Sequence, residues 1–371
     1  MQSVSGAPRK APQTANDGLS VGSLLIALAI LTAALIVLWQ GFLFLRDGGL
    51  PQLLNATLAI VWGVGGIGVL YYALNRLVES LPAAPRQFFT PYVFVGPAIL
   101  ILTWFFLIPT LRTAWFSFLD NDSINFVGLE NYKAVLGDEQ MLVSFRNNAL
   151  WLVFGTSFCV SLGLLIAILA DRSRFERIAK SLIFLPLAIS FVGAAVIWRF
   201  IYYYVPADSN QIGLLNAIVT SLGGEPQAWI SLLQPWNNLL LILILIWMQT
   251  GYAMVIFSAA LKSVPDDLLE AGRIDGGTEV RIFFSIIVPY IQGTIITVTT
   301  TILIFCLKIF DIVIAMTGGQ FGTEVIATQF YRQFFASRNF GYGSAIAIIL
   351  LIAVIPVMIY NLRQLSKQEG F

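Results

Sequence analysis

The sequence predicts an all-α polytopic membrane protein with about eight transmembrane helices. Hydrophobic residues make up 58% of the 371 residues and charged residues only 11%, whereas soluble domains carry about 25% charged residues. Apolar stretches of about 20 residues, the length of helix that crosses the hydrocarbon core of a bilayer, also recur along the chain. So much apolar surface requires lipid as its surroundings.

The predicted spans divide into two near the N-terminus and six in the rest of the chain. In order, they are about Val21–Leu45, Leu53–Ala73, Tyr92–Phe118, Asn148–Ala170, Ser181–Tyr204, Asn238–Leu261, Ile286–Ile309 and Tyr342–Leu362. The second is the weakest, because the glycines at 63, 65, 66 and 68 lower its helix propensity. An even number of spans places both termini on one side. The loops of that side hold thirteen Lys and Arg residues against six on the other, so the termini are predicted to be cytoplasmic.

The polar tail at 1–20 is expected to be a disordered cytoplasmic extension. Arg9 and Lys10 followed by an apolar run also resemble a signal peptide. However, that run is about 25 residues long and no small-residue cleavage site ends it, which favours a retained anchor. Residues 366–371 form the other predicted cytoplasmic tail.

Several kinds of site are not indicated by the composition. The chain has no histidine, and its two cysteines, Cys159 and Cys306, lie inside apolar runs, so no catalytic residue and no metal site is predicted. The net charge of +1 gives no basic footprint for nucleic acid. No phosphate loop of the form G-x-x-x-x-G-K-[ST] is present, so no cofactor is expected in this chain.

The polar stretch Lys262–Val288 has start and stop signals for two short helices. Ser263 is predicted to cap the first, with Pro265 in its first turn, and Gly276 and Gly277 to end it. Thr278 is predicted to cap the second helix. Its apolar positions follow the spacing of one helix face: Val280, Phe283, Phe284 and Ile287. The result is a compact hook suited to a groove on a partner, although a solvated loop joining two spans has the same composition.

Three motifs in this order resemble a known family. The first is Phe126-Val127-Gly128-Leu129-Glu130-Asn131-Tyr132, the second is Lys262-Ser263-Val264-Pro265-Asp266-Asp267-Leu268, and the third combines Glu270-Ala271-Gly272, Gly276 and Ile286-Ile287-Val288-Pro289. The third resembles the EAA loop of importer permeases at every spacing, with Gly272 and Val288 as departures. Residues of about 90–365 are therefore similar to binding-protein-dependent sugar permeases of the maltose-permease type.

The resemblance implies a type I ABC importer permease fold at 91–365, preceded by two extra N-terminal helices at 21–90. It also implies that the loop at 262–289 docks a separate ATPase, which binds the ATP and Mg. The implied docking residues are Glu270, Ala271, Gly272, Asp275, Gly276 and Pro289. Further implied partners are a second permease subunit, an ATPase dimer and an extracytoplasmic solute-binding protein, in a bacterial inner membrane.

Polar and aromatic residues inside three spans are candidates for the substrate pathway. They are Leu187, Ser190 and Phe191 in span five, Trp247, Gln249, Thr250, Gly251 and Tyr252 in span six, and Lys308 and Asp311 in span seven. The last two are three residues apart and are predicted to share a helix face; an internal ion pair or snorkelling explains them equally well. Gly251 and Trp247 are equally compatible with helix packing.

The resemblance does not fix which sugar is transported, and it implies short loops on the side opposite the termini. The maltose-type permease has more polar side chains than Leu187 and Phe191, so a different di- or oligosaccharide, an α-glucoside or a glycosidic osmolyte is expected. Contacts with the solute-binding protein are expected from residues 205–237, with Trp229 and Trp236, and from the turn at Thr317. Two other classes were weighed: a lipid-linked glycosyl transferase, disfavoured by the lack of histidine, and an ion-coupled transporter, disfavoured by the EAA spacing.

Overall fold

A computed structural model of the chain describes residues 21–232 and 234–368, and side chains up to Arg363. The described residues are helical, apart from turns, loops and one isolated antiparallel bridge between Leu119 and Phe126. The contacts divide the chain into two compact units, Met1–Thr110 and Leu111–Phe371. The predicted tail at 1–20, with Arg9 and Lys10, and the last three residues lie outside the described part.

The first unit contains three long helices, α1 (Val21–Asp47), α2 (Gln52–Glu79) and α3 (Ala83–Leu102). A π-helical turn, Thr103–Leu107, joins α3 to α4 (Ile108–Phe116), so the third predicted span begins earlier than expected. The glycine-rich second span is one uninterrupted helix. Helix α1 approaches α2 closely at Gly41, where an added Cβ would lie 2.0 Å from the ring of Trp62.

The second unit contains the remaining helices. They are α5 (Glu130–Gly137), α6 (Glu139–Leu150), α7 (Thr156–Asp171), α8 (Glu176–Phe184), α9 (Phe191–Ile201), α10 (Leu214–Ser221), α11 (Trp236–Leu261), α12 (Asp266–Ile274), α13 (Glu279–Ile282), α14 (Val288–Tyr290), α15 (Gln292–Leu307), α16 (Asp311–Met316), α17 (Ile326–Tyr331) and α18 (Phe340–Gln368). Helices α6 and α7 are joined by a π-helical turn into one segment of 33 residues.

Helix α11 is the centre of the second unit. It packs along α7, and the two helices lie close together at Gly163, where an added Cβ would lie 2.4 Å from the Cβ of Ala253. Small residues at such crossings let membrane helices approach closely. Around this crossing lies the main buried cluster, which includes Trp151, Leu245 and Phe257. Both cysteines are buried and free, in line with their predicted role as small hydrophobes.

Six helical segments of the described chain are long and apolar enough to cross a membrane, and the number rises to eight if each of two bent helix pairs is one span. The prediction of continuous spans at Ser181–Tyr204 and Ile286–Ile309 is wrong. The first is bent by 104° between Glu176–Ala188 and Phe191–Ile201, and the second by 72° between Glu279–Tyr290 and Gln292–Leu307. Hydropathy alone cannot detect a bend, because the residues on both sides of it are apolar.

The motif at 126–132 shapes the end of α4. Gly128 has a φ of +62°, which an L side chain adopts only with strain. The Asn131 side chain donates to the carbonyls of Ser117, at 3.0 Å, and Leu119, at 2.7 Å. The Tyr132 hydroxyl lies 2.7 Å from that of Ser117. The motif therefore satisfies backbone carbonyls where α4 ends, as buried polar groups require.

Candidate docking and pathway sites

Residues 262–289, called the 262–289 segment below, form the predicted helix, glycine bend and second helix. The first helix is α12, with Asp266 and Asp267 in its first turn. Carboxylates there interact favourably with the positive end of the helix dipole. The predicted Ser263 cap is wrong: Pro265 occupies the N-cap position, and the Ser263 hydroxyl instead donates to the carbonyl of Ala260. The Thr278 cap is confirmed, since its hydroxyl accepts from the backbone N–H of Arg281 at 3.3 Å.

Two glycines give this segment its shape. Gly276 has a φ of +77°, and the N–H of Gly277 donates to the carbonyl of Gly272 at 3.0 Å, which is the arrangement of a glycine-terminated helix. At Gly272 an added Cβ would lie 2.7 Å from Cδ1 of Ile286. The missing side chain therefore leaves room for the second helix to pack against the first.

The predicted apolar face of the second helix is not the one that is buried. Val280 and Phe284 are exposed by 67% and 64%, whereas Ile282 is buried. The reason is that Ile282 faces the first helix: an added Cβ at Gly272 or at Gly277 would lie 3.3 Å from Cγ1 of Ile282. Phe283 and Ile287 of the predicted face are half-buried. The exposed pair is left available to lipid or to a partner.

Glu270, Ala271, Asp275 and Gly276 are all exposed, and no described residue forms an ion pair with Glu270. Beside them lies Ile274, whose side chain is 85% exposed. This side chain is available to a partner, together with the exposed Glu270 and Asp275. The sequence analysis did not single out Ile274, although its place just before the glycine bend was a usable signal.

Ion pairs and hydrogen bonds hold the segment in place. Arg273 donates to Glu279 at 2.9 Å, and Glu279 lies 3.7 Å from Arg172, which follows α7. The hydrogen bond from Arg273 to Glu279 raises the pKa of that guanidinium further above its usual value. The Tyr290 hydroxyl donates to the carbonyl of Ser263 at 3.2 Å, so the two ends of the segment are tied together.

The pathway candidates of spans five and six meet at the bend between α8 and α9. Leu187 lies in the 3-10 turn Leu185–Ala188, and Ser190 caps α9 by accepting from the N–H of Gly193 at 3.0 Å. Gly251 lies directly against this bend: an added Cβ would be 2.4 Å from the carbonyl oxygen of Ile183 and 2.8 Å from Cα of Phe184. Gly251 therefore has the packing role that was weighed for it.

Around the bend, aromatic rings line the contact between these helices. The ring centroids of Trp247 and Trp198 are 5.9 Å apart, and those of Phe191 and Phe305 are 6.3 Å apart. Gln249 and Thr250 are buried, and Thr250 Oγ1 has no hydrogen-bond partner among the described residues. Tyr252 packs against the main cluster. Trp247 and Tyr252 thus pack in the core, while Thr250 supplies a polar atom without a protein partner.

Lys308 and Asp311 do not share a helix face, so that prediction is wrong. Helix α15 ends at Leu307 and α16 begins at Asp311, which places both residues at a break. Both are exposed, and no ion pair joins them in the part of the chain that the structure describes. The glycine-free break at 308–310 gave no signal in the sequence.

At the opposite end of α11, an amide network holds the turn region at 317–325. Asn147 donates to the carbonyls of Gly322 and Glu324, both at 2.7 Å, and Asn237 donates to the carbonyl of Phe321 at 2.7 Å. The sequence analysis identified the turn at Thr317 but missed the amides that hold it. Asn147 lies 177 residues before Glu324, and such a contact leaves no local pattern.

Glu324 is a buried carboxylate in this turn region, paired with Arg332. Burial raises the pKa of Glu324, against the hydrogen bond from Thr328 and the charge of Arg332. Arg332 also donates to the carbonyl of Gly318 at 3.2 Å. The pair therefore closes the turn between α16 and α17 at a point where both glycines at 318 and 319 have positive φ.

A cavity of about 540 Å³ opens beside the far end of α9. Its walls include Arg199, Tyr203, Tyr204 and Trp229. Asn216 supports one wall, since its Oδ1 accepts from the indole N–H of Trp229 at 2.9 Å and its amide donates to the carbonyl of Tyr203 at 3.0 Å. Within the loop predicted at 205–237, the described residues on both sides of α10 are thus joined through Asn216.

Two bent spans around a central helix, with a capped and exposed helical hook, define a membrane component of a transporter. The chain belongs to the family described as "binding-protein-dependent transport system inner membrane component", whose model matches residues 160–367. It is therefore a multi-pass inner-membrane transport protein, and the EAA resemblance is confirmed at the level of the family.

Relatives and solved structures agree with this assignment. The chain is 55% identical over 277 residues to the osmoprotective compounds uptake permease protein GgtC of Synechocystis sp., covering 75% of this chain and 99% of the relative. It is 45% identical to the alpha-glucoside transport system permease protein AglF of Rhizobium meliloti, covering 86% and 99%. A chain of a bacterial ABC transporter involved in the import of the acidic polysaccharide alginate superposes with a TM-score of 0.66 at 18% identity, covering 77% and 98%.

The structural likeness confirms the importer-permease fold. Because the sequence identity is only 18%, it shows the fold and nothing about the cargo. The relatives are transport permeases, so the glycosyl transferase alternative gains no support. The structure gives the positions of the docking and pathway residues, and their roles remain predictions from the sequence.

Proposed function

We propose that this chain is the transmembrane subunit of an ATP-driven importer whose ATPase is a separate polypeptide docked on the 262–289 segment. The observation that carries the proposal is the exposed hook itself. It presents Glu270 without an ion-pair partner among the described residues and Ile274 with 85% of its side chain exposed, held in shape by a cap, a glycine bend and the Arg273–Glu279 pair. ATP and Mg would be bound by the ATPase dimer.

The proposed cargo is an α-glucoside or a glycosidic osmolyte, moved inward by alternating access. The support comes from two relatives, named for alpha-glucosides and for osmoprotective compounds. The residues at the bend agree with a neutral cargo: Leu187 and Phe191 are apolar, while Thr250 Oγ1 is a polar atom without a hydrogen-bond partner among the described residues. Lys308 and Asp311, exposed at their helix break, would line one end of the same route.

The proposed assembly pairs this chain with a second permease subunit, two copies of the ATPase and an extracytoplasmic solute-binding protein. The family description supports the last of these by its wording. Both termini are proposed to be cytoplasmic, on the side of the 262–289 segment. This orientation places the cavity at Arg199 and the turn region at 317–325 on the side where the solute-binding protein would dock.

Uptake by the reconstituted assembly tests the proposal. Proteoliposomes holding both permease subunits and the ATPase are given the solute-binding protein with radiolabelled maltose, trehalose, sucrose or glucosylglycerol. We expect uptake of at least one of them that requires ATP inside and the binding protein outside. Uptake that continues without the ATPase subunit, or that follows an ion gradient, would refute ATP coupling.

A further inference from the structure

A compact ion cluster joins α7, α8 and α11 at the end where the 262–289 segment begins. The ammonium of Lys180, on α8, contacts the carboxylate of Asp171 and the hydroxyl of Ser258. It also lies 2.6 Å from Oε1 of Glu176. The Ser258 hydroxyl in turn donates to Asp171 at 2.8 Å. One lysine therefore connects the middle of α8 to the ends of α7 and α11.

This cluster is not an ordinary surface salt bridge. The side chains of Lys180 and Asp171 are each only 17% exposed, and exposed pairs contribute little because water and salt screen them. Lys262 also pairs with Glu176, so two ammonium groups face two carboxylates and the charges balance. Removal of Lys180 would leave a half-buried carboxylate, Asp171, with no cation of its own.

The 262–289 segment is attached to this cluster at two points. Lys262, its first residue, pairs with Glu176 at the start of α8. Glu279, at the start of α13, lies 3.7 Å from Arg172, the neighbour of Asp171. The turn between α7 and α8 thus contacts the 262–289 segment at its first residue and at the start of its second helix.

Beyond the cluster, α8 leads directly into the bend of span five. Ser181 to Phe184 run into the 3-10 turn that carries Leu187, and Gly251 of α11 packs on that bend. The outward side of α8 has little to hold it, because Ile178 and Leu182 are exposed by 61% and 66%. Its last residues, Ile183 and Phe184, pack on Gly251 of α11, and its earlier part is held by the contacts that Lys180 makes with α7 and α11.

We propose that Lys180 is a positioning residue for energy coupling, which makes α8 follow the 262–289 segment. This inference rests on the proposed function. When the ATPase displaces the segment, the pairs at Lys262 and Glu279 move the α7–α8 turn, and Lys180 keeps α8 joined to it. Without Lys180 the segment moves while the bend at Leu187 does not follow, so ATP is hydrolysed with little import.

The test is the number of substrate molecules imported per ATP hydrolysed by the complete reconstituted transporter. Lys180→Met keeps the length of the side chain and removes its charge, and Lys180→Arg keeps the charge. We expect Lys180→Met to retain ATPase association and hydrolysis and to lower the import ratio by about tenfold, within the roughly twofold to thirtyfold range of residues that transmit coupling. Lys180→Arg should recover most of the ratio.

Arg177→Met is the matched control, because Arg177 is on the same helix, is exposed, and forms no ion pair with a described residue. Equal import ratios for Lys180→Met and the unaltered protein, or equal losses in Lys180→Met and Arg177→Met, would overturn the inference. If the unaltered complex itself imports nothing with ATP, the proposed function fails instead.

A second variant covers the case in which Lys180→Met does not assemble. Ser258→Ala removes one contact of Lys180 and leaves every charge in place. We expect it to assemble and to lower the import ratio by about twofold, the lower end of the same range. An unchanged ratio in Ser258→Ala would then overturn the inference.

Discussion

The closest backbone approach in the candidate pathway makes Gly251→Ala the most informative substitution. The added Cβ would lie 2.4 Å from the carbonyl oxygen of Ile183 and 2.8 Å from Cα of Phe184, whereas unstrained heavy atoms sit about 3.5 Å apart. Both neighbours are backbone, so no side chain can rotate away. The bend of span five and α11 must therefore separate by about 1 Å.

Two opposing effects set the magnitude. Overpacking in a well-packed interior costs about 1–3 kcal/mol, while replacing a helical glycine with alanine gains up to about 1 kcal/mol in helix propensity. The net expectation is a loss of about 1–2 kcal/mol in the free energy of unfolding. The same separation displaces the 3-10 turn that carries Leu187, so import should fall as well.

Thermal unfolding of the purified complex in detergent measures the first effect, and uptake in proteoliposomes the second. Gly65→Ala is the matched control, because Gly65 is also within a long helix but nothing lies within 4 Å of its added Cβ. It should leave stability unchanged or slightly higher. If Gly251→Ala is as stable as Gly65→Ala and imports normally, Gly251 of α11 does not pack against the backbone of Ile183 and Phe184.

The other predictions concern the docking segment and one loop. Glu270→Lys should abolish co-purification of the ATPase while the circular dichroism of the permease stays helical; normal association and uptake would contradict the docking role. Gly272→Ala should retain uptake, because the added Cβ meets only the tip of the Ile286 side chain, at 2.7 Å, and that tip can rotate away. Gly272→Phe should lose uptake, because its ring does not fit between the two helices. Equal uptake by the two variants would contradict the packing argument. The pKa of Asp120 is lowered, chiefly by the hydrogen bond from the N–H of Ile124, so its contribution to stability is present above the unfolded pKa of about 4 and is lost as the pH falls through the folded value. The protection factor of the Ile124 amide, which compares its exchange rate with that of an unstructured amide at the same pH, should therefore fall in acid. Asp120→Asn should remove that pH dependence of the protection factor, and an unaltered dependence in the variant would show that another group titrates.

Helix type and the hook were predictable because both leave local patterns. A run of about 20 apolar residues has one stable backbone solution in lipid, since only a helix satisfies its own N–H and C=O groups. The bend at Gly276 and the cap at Thr278 were also predictable, because each depends on residues within one turn of the chain. The Ser263 cap failed because Pro265 took the N-cap position two residues later.

The bends in spans five and seven were not predictable. Apolar residues continue through both of them, and the contact that fixes the first, Gly251 against Ile183, joins positions far apart in the sequence. The same holds for Asn147 and Glu324, and for Lys308 and Asp311, whose three-residue spacing predicts a shared face only if the helix continues. It ends at Leu307, and the spacing then carries no information.

The sequence by itself determined that the chain spans a membrane and that a capped helical hook lies at 262–289, because hydropathy and capping act over neighbouring residues. Only the tertiary structure decided why Gly251 is a glycine, which face of the second hook helix is buried, and that Lys180 joins three helices. These are contacts between distant residues, and packing in three dimensions selects them.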